Sequence, residues 1–212
     1  MYADALARPN YAGHGYRCRC SRSNLEPFGG IHRRTCIARE TSPRPRRAFA
    51  VAIRAYFDDV IQVALIQHLR CEVGDFVIWR VAGGCAYQLA VAIDDAARDI
   101  YVIVRGSDSL KSTPRQILLQ RLLRFAQPTS AHLPLALGAD GRKLSKHEAA
   151  LPGDVAASLP ALRTALGFLG QVAPNAGNPA TLLARAVRKF DPRRFPRATL
   201  HLPFAAVREE IC

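Results

Sequence analysis

Apolar and polar positions along this chain change period from block to block, and the changes outline its elements. Residues 72–80 (EVGDFVIWR) read as a turn followed by a strand, and residues 86–95 (AYQLAVAIDD) as a helix-like apolar segment ending in acids. Residues 100–104 (IYVIV) form a β-branched run of the kind found in buried parallel strands. Residues 112–116 (STPRQ) open a helix, with Thr113 as N-cap and Pro114 at the first helical position. That helix runs to about Arg124 and turns Ile117, Leu118, Leu122 and Phe125 inward. A second apolar run, residues 133–137, predicts another buried strand, which Gly138, Asp140 and Gly141 break into a mobile loop.

The flanking regions are patterned more weakly. Residues 2–8 are helix-compatible and stopped by Pro9, residues 37–50 read as an exposed basic linker, and residues 51–72 as a strand followed by a helix or loop. Beyond residue 150 the apolar positions Leu159, Leu162, Leu166 and Leu169 predict one helix over 154–168 interrupted near Pro160, or two short ones. A loop at 174–179 precedes a helix over 181–190 whose basic face carries Arg185, Arg188 and Lys189, and the tail from 191 has little periodicity. Strands alternating with helices indicate an α/β fold. In such folds ligands bind beyond the carboxyl ends of the strands, which is where Arg105 falls, and an arginine there can pair a carboxylate through two parallel hydrogen bonds.

With 212 residues, 49% of them hydrophobic, the chain has material for one domain or one and a half. No apolar run is long enough to span a bilayer, and the first ten residues hold no signal-peptide core, so a soluble cytoplasmic protein is expected. The net charge of +13 suits an acidic partner such as nucleic acid, although a base composition rich in Arg, Ala and Leu codons explains it equally well. Lysine is scarce, four against twenty-six arginines, yet two of the four are Lys143 and Lys146, just behind the glycine loop. A flexible cationic loop can follow phosphate oxygens as charge builds on them; the alternative is a solvated basic turn.

Cys18 and Cys20 are followed by His32 and Cys36. Two close pairs joined by a loop match a closed tetrahedral zinc site with thiolate and imidazole ligands; the alternative is four unrelated polar or buried residues. Without a secretory signal a disulfide framework is not expected. Cys71 reads as a core or boundary thiol and Cys212 as a free one.

Three of these blocks resemble the glutamyl-Q tRNA(Asp) synthetases, a branch of the class I aminoacyl-tRNA synthetases. GADGRKLSKHEAA resembles the KMSKS-type signature loop in its KLSK form, here Lys143, Leu144, Ser145, Lys146 and His147. CRCSR followed by GGI, a ligand and x-x-x-C resembles the family's zinc insertion, with His32 where the family usually shows tyrosine. GDFVIWR, AYQLAVAIDD and VRGSDSLKSTPRQ resemble its central run. The resemblance covers about residues 11–170. It implies a partial class I synthetase Rossmann-type nucleotide-binding fold with a zinc-binding insertion and a C-terminal helical region. The implied division is 1–50 for the insertion and basic linker, 51–150 for the catalytic part with the KLSK loop, and 151–212 for the helical region.

The resemblance also implies roles. Lys146, with Lys143 beside it, would act on ATP, with Mg2+ expected; Tyr87 and Arg105 would contact L-glutamate; Cys18, Cys20, His32 and Cys36 would hold structural Zn2+. The implied reaction is tRNA-independent activation of glutamate and its transfer to queuosine at the wobble position of tRNA(Asp), by a protein that is monomeric if complete. Asp94, Asp95 and Asp108 are expected to be structural or to support the substrate-binding groups from behind. The family carries a HIGH-type ATP motif ahead of the matched part. No such string stands near residue 1, and neither His14 nor His132 is placed to substitute, so a member lacking that segment is expected. Two other readings remain: a basic zinc protein that binds RNA without catalysis, and an inactive fragment. The short helical tail argues against glutamyl-tRNA synthetase proper, whose anticodon-binding domain would not fit.

Overall fold

A computed structural model describes residues 14–29, 31–32, 46–49, 54–62, 65–80, 83–138, 140–144, 157–197 and 200–201. Described strands are β1 (Gly15–Cys18), β2 (Arg46–Phe49), β3 (Arg54–Phe57), β4 (Leu65–His68), β5 (Phe76–Trp79), β6 (Val102–Gly106), β7 (Thr129–Leu133), β8 (Ala136–Leu137) and β9 (Leu200–His201). Described helices are α1 (Arg22–Leu25), α2 (Tyr87–Ala97), α3 (Thr113–Leu123), α4 (Ser158–Phe168) and α5 (Pro179–Arg188). The chain divides into two compact units. One holds residues 1–58, 64–103 and 111–129; the other holds 59–63, 104–110 and 130–212.

In the first unit β1, β2 and β5 form a sheet with β2 in the middle, antiparallel to both neighbours. This corrects the expectation of a basic linker at 46–49; the remainder of 37–50 lies outside the described residues. β2 pairs along both edges, and backbone pairing on two sides outweighs the local charge that hid the strand. β3 and β4 form an antiparallel pair. A single turn of π-helix, Leu69–Val73, leads from β4 towards β5. Leu69 fills the core there while Cys71 lies exposed, so Cys71 is not the core or boundary thiol expected from the sequence. The core packs Leu69 and Ile78 against Leu89, Ala92 and Ile93 of α2 and Leu118, Leu119 and Leu123 of α3.

The helix predicted from residues 112–116 is present as α3, with two differences. Its N-cap is Ser112 rather than Thr113, and the Ser112 side chain makes no capping bond because a 3-10 turn, Ser107–Ser112, runs straight into it. Nor is it one-sided: Ile117 through Leu119 are buried, Leu123 too, and Gln116 and Gln120 lie inside with them. Gln116 Nε2 donates to Gln88 Oε1 of α2 at 2.9 Å, one reason amides are accommodated at those positions.

β6 pairs with β7. The expectation of a fully buried strand at 100–104 is not met: Tyr101, Val102 and Val104 are 74%, 59% and 58% exposed. Exposure alternates along β6, the pattern of a strand covered on one face only. In the second unit β8 runs parallel to β9. α4 is a single helix with Pro160 in its first turn, where a missing N–H costs nothing. It ends in a Schellman motif: Gly170, at φ 70°, donates to Gly167 O and Gln171 donates to Leu166 O. α5 is capped by Asn178, whose side chain accepts from Thr181 N at 2.8 Å.

Candidate functional site

The first cluster begins at β1. Cys18 ends the strand and Cys20 follows it, both at most 5% exposed, and His32 joins them at 3%. One ligand atom from each lies within 4.8 Å of the others, the one such group of three found among the described residues. His32 Nε2 is 2.9 Å from Cys18 Sγ, and the backbone N–H of Cys20 donates to that sulfur at 3.3 Å. Two buried sulfurs and an imidazole nitrogen converging on one point are a donor set that suits zinc. Cys36, the expected fourth ligand, lies outside the described residues.

Around these donors stands a shell that sequence spacing did not indicate. Tyr16 Oη is 2.8 Å from His32 Nδ1 and donates to Asp75 Oδ2, whose carboxylate is itself 3.5 Å from His32 Nδ1. Burial, and then the bond to Asp75, push the Tyr16 phenol far above the ordinary phenol range, so its proton stays on. Asp75 N donates to His32 O at 2.7 Å. Gly74 makes the approach possible: a Cβ there would stand 2.5 Å from His32 O, and its φ of 69° already favours glycine.

The second cluster lies in the other unit, at the end of β6. Arg105 Nε donates to His132 Nε2 at 3.3 Å, and His132 Nδ1 meets Asp59 Oδ2 at 2.5 Å. His132 is fully buried. Asp59 also accepts from the backbone N–H groups of Ile61, Gln62 and His132 at 3.0, 2.8 and 3.1 Å. Burial pushes the Asp59 carboxyl up, but these bonds more than offset it and hold it below the usual carboxylate range. His132, to which the sequence assigns no role, therefore stands directly behind Arg105. Two partners separated from it by 27 and 73 residues leave no local signal.

In front of Arg105 lies an open groove of about 590 Å³, a size usual for small-molecule sites. Leu133, Leu135, Phe168 and Leu169 give it apolar walls, and Arg105, Lys143 and Leu144 line it as well. Hydrogen bonds tie together the described residues of the glycine segment before Lys143. Gly138 N donates to Arg142 O, Gly141 N to Gly138 O and Arg142 N to Asp140 Oδ1, closing a tight turn at 138–142. Lys143 Nζ then reaches Asp108 Oδ2 at 2.7 Å, and that bond, first among the causes, holds the Asp108 carboxyl below its ordinary range. Arg105, Lys143 and Leu144 thus come together at one groove. Tyr87 is the first residue of α2 and 55% exposed, so it is not a core tyrosine. Ser145, Lys146 and His147 lie outside the described residues.

Comparison with known proteins gives the family of the chain. The family described as "tRNA synthetases class I (E and Q), catalytic domain" matches residues 51–157. A glutamyl-Q tRNA(Asp) synthetase of Xanthomonas campestris pv. campestris (strain 8004) is 46% identical over 203 residues, covering 92% of this chain and 67% of that protein. The chain belongs to the glutamyl-Q tRNA(Asp) synthetase family. A second member of the family, from Pseudomonas entomophila (strain L48), is 41% identical over 204 residues, covering 92% of this chain and 68% of that one. In fold, the crystal structure of a glutamate tRNA ligase from Elizabethkingia meningosepticum CCUG26117, in complex with its amino acid, is similar with a TM-score of 0.71 at 17% identity. That match covers 99% of this chain, which spans about half, 51%, of the ligase. This chain therefore has a class I synthetase-like fold, mixing helices and strands. Among the described residues no helix is long and apolar enough to cross a membrane.

Proposed function

We propose that this glutamyl-Q synthetase family member activates L-glutamate with ATP, without needing tRNA, and transfers it to queuosine at the wobble position of tRNA(Asp). One observation carries the reading: Arg105 and Lys143, one suited to a carboxylate and one to phosphate, line the same apolar-walled groove. In the reaction a glutamate carboxylate oxygen attacks the α-phosphorus of ATP and pyrophosphate leaves. The work left to the protein is positioning and charge stabilisation. Arg105 would hold a glutamate carboxylate by its guanidinium fork, with His132 and Asp59 fixing the arginine from behind. Tyr87 would complete the glutamate contacts. Lys146 would stabilise the ATP phosphates, with Lys143 next to it, Leu144, Ser145 and His147 completing the loop, and Mg2+ accompanying the nucleotide.

Cys18, Cys20, His32 and Cys36 would hold zinc, which supplies cross-linking rather than chemistry. The division that follows is a zinc insertion and linker over 1–50, the C-terminal part of a Rossmann-type catalytic domain over 51–150, and a helical region over 151–212. The charge of +13 supports tRNA as the partner, through phosphate contacts that weaken with salt.

The test is glutamate-dependent ATP–pyrophosphate exchange without tRNA, alongside Lys146→Ala. Exchange is expected, with a loss of about 100-fold or more in the variant, the usual size for one preorganised charge-stabilising group. Folded, zinc-bearing protein without exchange overturns the reading. If such protein still binds RNA in a salt-dependent way, a non-catalytic zinc RNA-binding module takes its place.

A further inference from the structure

The ring of His32 has two nitrogens with different surroundings, and the surroundings assign them. Nε2 faces Cys18 Sγ at 2.9 Å, and Nδ1 faces Tyr16 Oη at 2.8 Å. The phenol has one hydrogen. It is spent on Asp75 Oδ2, because a carboxylate can only accept. Tyr16 Oη must therefore accept from His32, and the hydrogen it accepts sits on Nδ1. That leaves the lone pair on Nε2, which faces the Cys18 sulfur.

We propose that Tyr16 and Asp75 form a positioning relay that locks His32 as its Nδ1–H tautomer and so makes it an Nε2 ligand of the zinc held with Cys18 and Cys20. The inference rests on the zinc reading above and goes beyond it by naming the ligand atom and the residues that select it. The relay is anchored at its far end. Asp75 bonds His32 twice over, by its N–H to the His32 carbonyl at 2.7 Å and by its carboxylate through Tyr16. Gly74 lets the two strands of backbone meet, since His32 O, Ile31 Cγ2 and His32 N would all lie within 2.9 Å of a Cβ at that position. Main chain and ring are thus both fixed by the segment leading into β5. Outer partners of this kind orient metal-bound histidines generally, and losing one weakens metal affinity about 10- to 100-fold.

Two measurements test it on the whole chain loaded with one equivalent of zinc. In the wild type, nitrogen-15 spectra of labelled histidine are expected to show His32 protonated at Nδ1 and metal-shifted at Nε2; the reverse assignment overturns the proposal, whatever any variant does. Chelator competition then compares Tyr16→Phe in two backgrounds. With His32 present, zinc affinity is expected to fall about 10- to 100-fold with stoichiometry unchanged. With His32→Cys, which has no second nitrogen to orient, Tyr16→Phe is expected to change affinity less than about twofold. Equal losses in both backgrounds mean that Tyr16 acts by packing alone, and the relay is wrong. A wild type that takes up no zinc at all refutes the zinc reading itself, and the relay with it.

Discussion

Arg105 donates its Nε–H to Nε2 of His132 across 3.3 Å, and that bond decides which nitrogen of the buried ring carries its hydrogen. With Nε2 accepting, Nδ1 must be the donor, and it points at Asp59 Oδ2 2.5 Å away. Arginine, histidine and aspartate form one directed chain from the groove wall to the interior. Replacing His132 by Leu removes the link between a buried carboxylate and a groove arginine. The expected cost is about 2 to 3 kcal/mol in urea unfolding, the usual size for taking the hydrogen-bond donor away from a buried charged group. In the glutamate-dependent exchange assay, Arg105 without its support is expected to raise the KM for glutamate about tenfold, the equivalent of one hydrogen bond of ~1.4 kcal/mol. An unchanged KM would show that Arg105 is held by other contacts.

The same carboxylate sets an acid limit. Asp59 is held below the ordinary carboxylate range in the folded protein, so its contribution is fully present above the unfolded value of about 4. It is lost as pH falls through the folded value. Unfolding midpoints measured from pH 7 down to about 3 are expected to drop more steeply for the wild type than for Asp59→Asn, whose amide does not titrate. Parallel curves would assign acid unfolding to other groups.

The pair between Lys143 and Asp108 is a different kind of contact. Their side chains are 38% and 45% exposed, and such pairs contribute little to stability. Asp108→Asn is expected to move the melting temperature by no more than about 2 °C, consistent with less than ~0.5 kcal/mol. Its consequence belongs to the groove, since Lys143 then carries an uncompensated charge beside Arg105. The KM for ATP in the exchange assay is expected to change while the melt does not.

α3 offers a stabilising substitution. Arg124 sits at φ 57° just past the helix, with its N–H on Arg121 O and the next N–H on Gln120 O, a Schellman ending built on a non-glycine residue. α4 makes the same ending with Gly170. Arg124→Gly relieves the left-handed strain and is expected to add about 0.5 to 1 kcal/mol, after the flexibility of glycine in the unfolded chain is allowed for. A shift of the urea midpoint to higher concentration at unchanged slope is the reading to look for.

What could be read in the sequence was what lies close along the chain. Cys18, Cys20 and His32 announced themselves by spacing, because sulfur and imidazole donors this close along a chain can meet at one point, α2 by its apolar period, and α3 by Pro114 at its opening. Relationships between distant residues left no such trace. Tyr16 and Asp75 stand 59 residues apart, and Asp59 and His132 stand 73 apart. Each of these looks ordinary in its own neighbourhood. β2 was hidden by its arginines, because charge was weighed where backbone pairing decides. The run at 100–104 has the composition of a buried strand, yet β6 keeps Val102 and Val104 exposed, and composition cannot tell whether a strand is covered on one face or two.

The order of the first sheet bears on how the chain gets there. β1, β2 and β5 are drawn from residues 15–18, 46–49 and 76–79, so the sheet cannot close until two long returns of the chain have been completed. α2 and α3 are separated by only a short stretch and share one core, and contacts of low sequence separation form early. The helical pair is thus the natural nucleus, and the cluster of Cys18, Cys20 and His32, fastened to Gly74 and Asp75 at the mouth of β5, is a late product of folding. Interactions formed after the transition state act on escape from the native state rather than on the approach to it. Zinc in this cluster would leave the folding rate nearly untouched and lengthen the lifetime of the folded chain.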